Sequence, residues 1–225
     1  NKRAKIIFIQ EFLMKKLFLG AMALLAAVTL VACGSKKDAY ESIKENKKLV
    51  VAVSPDYAPF EFKTLVDGKD QVVGSDIKLA QAIADELGVK LEVTTMSFDN
   101  VLSSLQAGKA DLAISGISVT AERKKTFDFS DPYYETQNAI IVRKDQESTY
   151  SSLDAFKGKK VAAQKGSTQE GIVTSQFKGA TEIALPQIGD EINEVKGGQV
   201  QGAVIENLIA KSYVAANSDL AIANV

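Results

Sequence analysis

The chain predicts a two-lobed α/β fold, and two observations carry that expectation. Short apolar runs alternate with amphipathic segments of helical period. Their β-loop-α-β-α-β order implies a parallel sheet with right-handed crossovers and helices on its faces. The pattern then repeats in miniature after Gly158, and no low-complexity tract separates the halves. Two lobes joined by a short hinge near Glu135 to Gln137 are therefore expected, rather than domains on a flexible linker. The boundaries are residues 49–136 for the first lobe and 137–225 for the second.

Residues 1–13 read as an upstream extension, because Met14-Lys15-Lys16 opens a charged segment followed by an apolar run from Leu17 to Ala32. That run is shorter than the ~20 residues a spanning helix needs and ends in small residues, as a signal peptide does. Residues 14–32 are assigned to it. Leu30-Val31-Ala32-Cys33, followed by Gly34-Ser35, resembles the bacterial lipobox. The resemblance implies that Cys33 is the lipidated N-terminus of the mature protein, though a lone cysteine otherwise reads as buried or incidental. Residues 33–48 are polar and charged, a tether. Cys33 is the single cysteine, so an intramolecular disulfide is impossible.

Leu49 to Val53 is a continuous apolar run of the kind found in parallel strands buried on both faces. It ends in Ser54-Pro55-Asp56-Tyr57-Ala58-Pro59-Phe60, where two prolines forbid a regular element. Lys63 to Val73 carries the turn signal Asp67-Gly68 and predicts a hairpin. Ser75 or Asp76 then caps an amphipathic helix with Ile77, Ala80, Ile83, Ala84 and Leu87 on one face and Gly88 as its stop. A strand from Val89 to Thr95 follows, then a helix capped by Asp99 that turns Val101, Leu102 and Leu105 inward and ends at Gly108. Asp111 to Ile114 is a short strand running into Ser115, Gly116, Ile117 and Ser118. Beyond it a helix is expected with Thr120 as N-cap and Glu122 and Arg123 in its first turn.

Phe127 to Tyr134 is aromatic and extended, without helical period. Asn138 to Arg143 is a strand, and a short helix lies near Leu153 to Phe156. In the second lobe Lys160 to Gln164 is a strand, Gly166-Ser167-Thr168 a turn and Gln169 to Phe177 a helix. Glu182 to Leu185 is a strand, Asp190 to Val195 a helix, Ala203 to Ile205 a strand ending at Glu206, and Asn207 to Ala216 a helix.

Composition removes several classes of function. The 27 Lys and Arg balance 28 Asp and Glu, so nothing points to a nucleic-acid partner or a basic membrane surface. Histidine is absent, which excludes a Ser/His or Cys/His pair and the commonest zinc ligand. No metal or cofactor is expected. Four strand ends instead carry polar groups: Ser54, the Ser115 to Ser118 loop, Gly166 to Thr168, and Glu206. In open α/β sheets ligands bind outside the carboxyl ends of strands. Each group has a plainer account alone. Arg123 is a solvated charge in a charged run, Gly166-Ser167-Thr168 is generic cap chemistry, Glu206 is a first-turn carboxylate, and Tyr57 and Phe60 are core. Together, helix N-termini and a guanidinium call for an anion, while Glu206 and serine hydroxyls call for a cation beside it. A small zwitterion, an α-amino acid, supplies both.

SPDYAPFEF, VVGSDIKLAQAIADELGVKLE, LQAGKADLAISGISVTAERKKTFDFSDPYY and QKGSTQE resemble the extracytoplasmic amino-acid-binding proteins of bacterial ABC importers, from Leu49 to the C-terminus. The resemblance implies a periplasmic-binding-protein-like fold of type II. Arg123 would pair with the ligand α-carboxylate, helped by N–H groups of Ser118 and Thr168 beside Ser115 and Ser167. The Gly116 carbonyl, the Ser118 hydroxyl and Glu206 would hold the α-ammonium. Tyr57 and Phe60 would wall the side-chain pocket, with Ser54, Glu61 and Gln164 at its far end.

This sequence departs from the family in places. Glu206 stands where Asp is usual, Ser54 where members taking basic or amide side chains often have Asp, and Ser75 where an aromatic is common. Asp56 and Glu61 keep negative charge near the aromatic wall, and Tyr57 adds cation–π attraction, so a polar or cationic side chain is expected, arginine first. The resemblance also implies a return of the chain to the first lobe, which nothing after Ala221 supplies, so the second lobe reads as truncated. The partners implied are an amino acid, the permease membrane subunits and, through the lipid on Cys33, the cell membrane of a Gram-positive bacterium, with the receptor a monomer. The rival readings are an enzyme resembling cyclohexadienyl dehydratase, for which Glu206 or Glu61 would supply the proton, and a ligand-sensing or adhesion lipoprotein.

Overall fold

β1 (Lys48–Val53) lies between β5 (Lys90–Thr95) and β6 (Leu112–Ala113), parallel to both. The computed structural model describes residues 38–225, so the expectations for residues 1–13, the signal peptide and Cys33 fall outside the described residues. The apolar run of β1 is explained by two covered faces. Leu49, Val51 and Val53 join Ala80 and Ala84 of α2 (Ser75–Leu87), whereas Ala52 joins Val101 of α3 (Phe98–Gln106). Alternate side chains of one strand thus serve two cores, as a parallel strand buried on both faces requires.

β2 (Asp56–Tyr57), β3 (Glu61–Val66) and β4 (Lys69–Val73) form a small antiparallel sheet around the Asp67-Gly68 turn. Its end delivers the chain into α2 through Gly74. Neither Ser75 nor Asp76 caps that helix. Gly74 holds the N-cap position at φ 133°, and the first free N–H groups go to backbone of the preceding loop, Ser75 N to Pro59 O (3.1 Å) and Asp76 N to Phe60 O (2.9 Å). That close approach leaves no room for a side chain, since a Cβ on Gly74 would lie 2.0 Å from Phe60 O. Asp76 is turned inward instead and accepts from Tyr133 Oη at 2.9 Å. Ser97 rather than Asp99 occupies the N-cap position of α3.

The second sheet has the order β11-β7-β10-β8-β9, with β7 (Asn138–Arg143), β8 (Lys160–Gln164), β9 (Thr181–Leu185), β10 (Gly202–Glu206) and β11 (Leu220–Ile222). β8, β9 and β10 are parallel, and β7 alone runs against them, antiparallel to both of its neighbours β10 and β11. One face packs against α5 (Ile188–Lys196) and α6 (Asn207–Ala216), the other against α4 (Thr168–Gln176) and a 3₁₀ turn at Leu153–Phe156. The hinge meets this sheet at its functional end: Asn138 pairs with Glu206, and Asn207 N donates to Gln137 O at 2.8 Å.

Two further expectations need correction. The tether over residues 33–48 contains a helix, α1 (Ala39–Asn46), whose acidic first turn and basic last turn complement its dipole. Ile43 is buried, and Lys44 Nζ donates to the terminal carbonyl of Leu87 at 2.6 Å. The helix expected after Thr120 is only a 3₁₀ turn, Arg123–Lys125. Thr120 does cap it, its Oγ1 accepting from Arg123 N at 3.1 Å. Lys124, Lys125 and Thr126 offer no apolar stripe, so nothing repays propagation beyond the nucleating turn. Residues 43–225 make one compact unit.

Candidate functional site

The carboxyl ends of β6, β8 and β10 open onto one cleft between the two lobes. Tyr57, Phe98, Ser115, Gly116, Ser118 and Arg123 line it from the first lobe. Gln164, Ser167, Thr168, Gln169, Ile188, Glu191 and the segment Val204 to Glu206 line it from the second.

Arg123 supplies positive charge. Nη1 donates to Ser118 O at 2.8 Å, and Nη2 crosses to Gly166 O in the other lobe at 3.0 Å. Its Cζ lies 5.9 Å from the Phe98 ring centroid, within cation–π range. Burial lowers its pKa, but a guanidinium stays protonated in a protein. A single 3₁₀ turn has no macrodipole to speak of, so on the first lobe the guanidinium carries the charge by itself. Across the cleft α4 does present a helix N-terminus. Ser167 Oγ accepts from Glu170 N (3.3 Å), and Glu170 Oε2 accepts from Gly166 N (2.7 Å), a close variant of the capping box. Gly166 also allows the lobes to touch: it has φ +78°, and a Cβ there would meet Asp99 Cα at 3.1 Å.

Acid surrounds the rest. Glu206 is the buried N-cap residue of α6, yet its carboxylate makes no cap hydrogen bond. Burial raises its pKa, while the nearby Tyr57 hydroxyl lowers it. Burial and the nearby Glu206 raise the Tyr57 phenol above its usual range. Behind the cleft wall a relay runs from Ser54 N to Ser115 Oγ (2.8 Å) and from Ser115 Oγ to Glu61 Oε1 (2.7 Å). Glu61 is fully buried, with Oε2 unpartnered among the described residues, and burial pushes its pKa up to about 10, with Asp76 adding to the effect. Asp56 ties the lobes together: Oδ1 accepts from Ser54 Oγ (3.1 Å), while Oδ2 accepts from Ile188 N at the start of α5 (2.7 Å). Lys165 Nζ to Asp99 Oδ2, at 3.1 Å, is a further link across the mouth.

Of the residues singled out from sequence, Tyr57, Ser115, Gly116, Ser118, Arg123, Gln164, Ser167, Thr168 and Glu206 share this cleft. Ser54, Phe60 and Glu61 lie buried behind it. Phe60 is not the facing wall expected: it packs 5.7 Å from Tyr57 and 5.0 Å from Tyr134, ring centroid to centroid, because the loop folds it against the aromatic segment before the hinge. Phe98, half-buried, takes the aromatic position on the cleft. Sequence reasoning also missed Gln169, Ile188 and Glu191. Glu191 had a signal, being an acid on the buried stripe Ile188, Glu191, Ile192 and Val195.

A two-lobed α/β fold whose cleft sets a cation on one lobe against a carboxylate on the other defines a small-solute receptor. The chain belongs to the bacterial extracellular solute-binding proteins, family 3, whose profile matches residues 49–219. It is 40% identical to the arginine-binding extracellular protein ArtP of Bacillus subtilis, over 92% of this chain and 79% of that one. Among solved structures it resembles the amino acid ABC transporter substrate-binding protein AbpA of Streptococcus pneumoniae bound to L-arginine. The identity there is 54% and the TM-score 0.80, covering 82% of this chain and 78% of that one. The ancestral amino-acid-binding protein AncCDT-1, described as a precursor of cyclohexadienyl dehydratase, is similar at 33% identity and TM-score 0.76, covering 83% and 81%.

Proposed function

We propose that this protein captures L-arginine between its lobes and delivers it to the membrane subunits of an ABC importer, held at the membrane by a lipid on Cys33. The observation that carries the reading is the opposed pair Arg123 and Glu206, one from each lobe, lining the same cleft. That pair matches the two charges of an α-amino acid. Arg123 and the N–H groups of Ser118 and Thr168 take the α-carboxylate; the Gly116 carbonyl, the Ser118 hydroxyl and Glu206 take the α-ammonium. The side chain lies along Tyr57 and Phe98 toward Gln164, on the side where Asp56 lies.

That acid, and relatives described as arginine-binding or bound to L-arginine, support a cationic side chain. Because the ligand touches both lobes it binds the closed form more tightly, and closure is what a permease recognises. No bond is made or broken. The test is a calorimetric screen of the twenty amino acids, with arginine expected to bind most tightly and lysine and glutamine more weakly. Tighter binding of an acidic or aliphatic amino acid, or no binding at all, overturns the reading.

A further inference from the structure

We infer that Glu191 is the counter-ion for the ligand's cationic side chain, and so the residue that separates arginine from uncharged amino acids of the same shape. The inference rests on the proposed function above and adds a residue to its specificity pocket.

Glu191 sits where a helix facing a core carries an apolar side chain. Ile188, Glu191, Ile192 and Val195 form the buried stripe of α5, at the i, i+3, i+4, i+7 spacing of one helix face. Its relative exposure is 0%, and among the described residues neither Oε1 nor Oε2 has a hydrogen-bond partner. A carboxylate kept for stability comes with donors, because burying one without them costs far more than an apolar residue of the same size would. Glu191 has none, yet it lines the ligand cleft beside Ile188 and Gln164.

The charge count assigns the partner. Besides the Tyr57 phenol, Arg123, Glu206 and Glu191 are the ionisable side chains lining the cleft. The α-carboxylate and α-ammonium of any amino acid answer Arg123 and Glu206, which leaves one acid over. The groups whose charge reaches Glu191 are Asp56 and Asp190, both acids, and the Tyr213 phenol faces the same Asp56–Glu191 pair. A ligand with one further positive charge balances the site. Two free oxygens on one carboxylate suit the planar fork of a guanidinium better than the single ammonium of lysine. Burial, with Asp56 and Asp190 adding, raises the Glu191 pKa well above the carboxylate range. A guanidinium seated there draws the proton off, so arginine binding releases a proton to solvent.

The test compares Glu191→Gln with the natural protein by calorimetry, using L-arginine and L-citrulline, which has the same length and a neutral ureido end. Glu191→Gln is expected to weaken arginine about 10- to 100-fold, the loss of one charge-assisted contact. It should leave citrulline within about threefold and abolish a proton release seen in buffers of different ionisation enthalpy. Equal weakening of both ligands would indicate a structural role and overturn the inference, as would unchanged arginine affinity. The natural protein gives an independent check that needs no variant: arginine should exceed citrulline by at least about tenfold, and equal affinities overturn the inference. Failure of the natural protein to bind arginine overturns the proposed function with it. Arginine binding that ignores Glu191→Gln overturns this inference alone.

Discussion

Replacing Arg123 by alanine removes two things at once, and the structure allows each to be sized. The first is the cation for the ligand carboxylate. Truncating one partner of a buried, hydrogen-bonded charge pair costs about 2–5 kcal/mol. At about 1.4 kcal/mol per decade this is roughly 30- to 4,000-fold in Kd. The second is the link from Nη2 to Gly166 O at 3.0 Å, which exists only while the lobes are together. A hydrogen bond from a charged donor contributes about 1.5–3 kcal/mol, and its loss moves the open–closed equilibrium toward open. The Asp56–Ile188 and Lys165–Asp99 links remain, so closure is weakened rather than abolished. The two losses overlap, since ligand and closure depend on each other. A loss of at least about 100-fold is the working expectation. Arg123→Lys keeps the charge but gives up the fork that reaches Ser118 O and Gly166 O together, so an intermediate loss of about tenfold is expected. Isothermal titration with arginine measures the first effect, and small-angle scattering with and without arginine measures the second. An Arg123→Ala protein that folds, closes and binds arginine within about threefold of the natural one would falsify the role given to this residue.

Glu61 and Gly74 give predictions for stability. The Glu61 carboxyl is raised from its ordinary 4.5 to about 10, so between those values the folded protein keeps a proton that the unfolded chain has released. The contribution of Glu61 to stability is therefore greatest below pH 4.5, falls by up to about 1.4 kcal/mol per pH unit as pH rises toward 10, and levels off beyond. Glu61→Gln should flatten that slope in urea titrations between about pH 6 and 9; a slope equal to the natural protein's refutes the burial argument. Gly74→Ala puts a Cβ 2.0 Å from Phe60 O at a φ of 133°, where neither backbone can yield without breaking the cap of α2. A loss of about 3 kcal/mol follows, or roughly 6–12 °C in Tm for a domain of this size. A melting temperature within about 2 °C of the parent would show that the loop is free to move away.

Where the chain is apolar and periodic, the sequence was a sufficient guide. The strands Asn138–Arg143 and Lys160–Gln164 and the helix Asn207–Ala216 stand at the expected bounds. Their side chains are buried on two faces or one, and burial is what the pattern encodes. α1 escaped because a single buried residue, Ile43, anchors it and one position makes no period. The Arg123 helix was overextended because a good cap at Thr120 says where a helix starts and nothing about how far packing will carry it.

The site residues that went unseen share a geometric cause. Phe98 opens α3 directly after β5, so it too stands at the carboxyl end of a parallel strand. The rule that pointed to Ser54 and Ser115 applies to it equally, while Phe60 drew attention only by lying near Tyr57 in sequence. Glu191 was hidden by a boundary. With the helix started at Asp190, Glu191 falls in a solvated first turn where an acid needs no explanation. With it started at Ile188, where Asp56 holds the first N–H, the same residue moves onto the core stripe and has no donor. Two residues of helix decide whether that carboxylate reads as surface decoration or as the charge that selects the ligand.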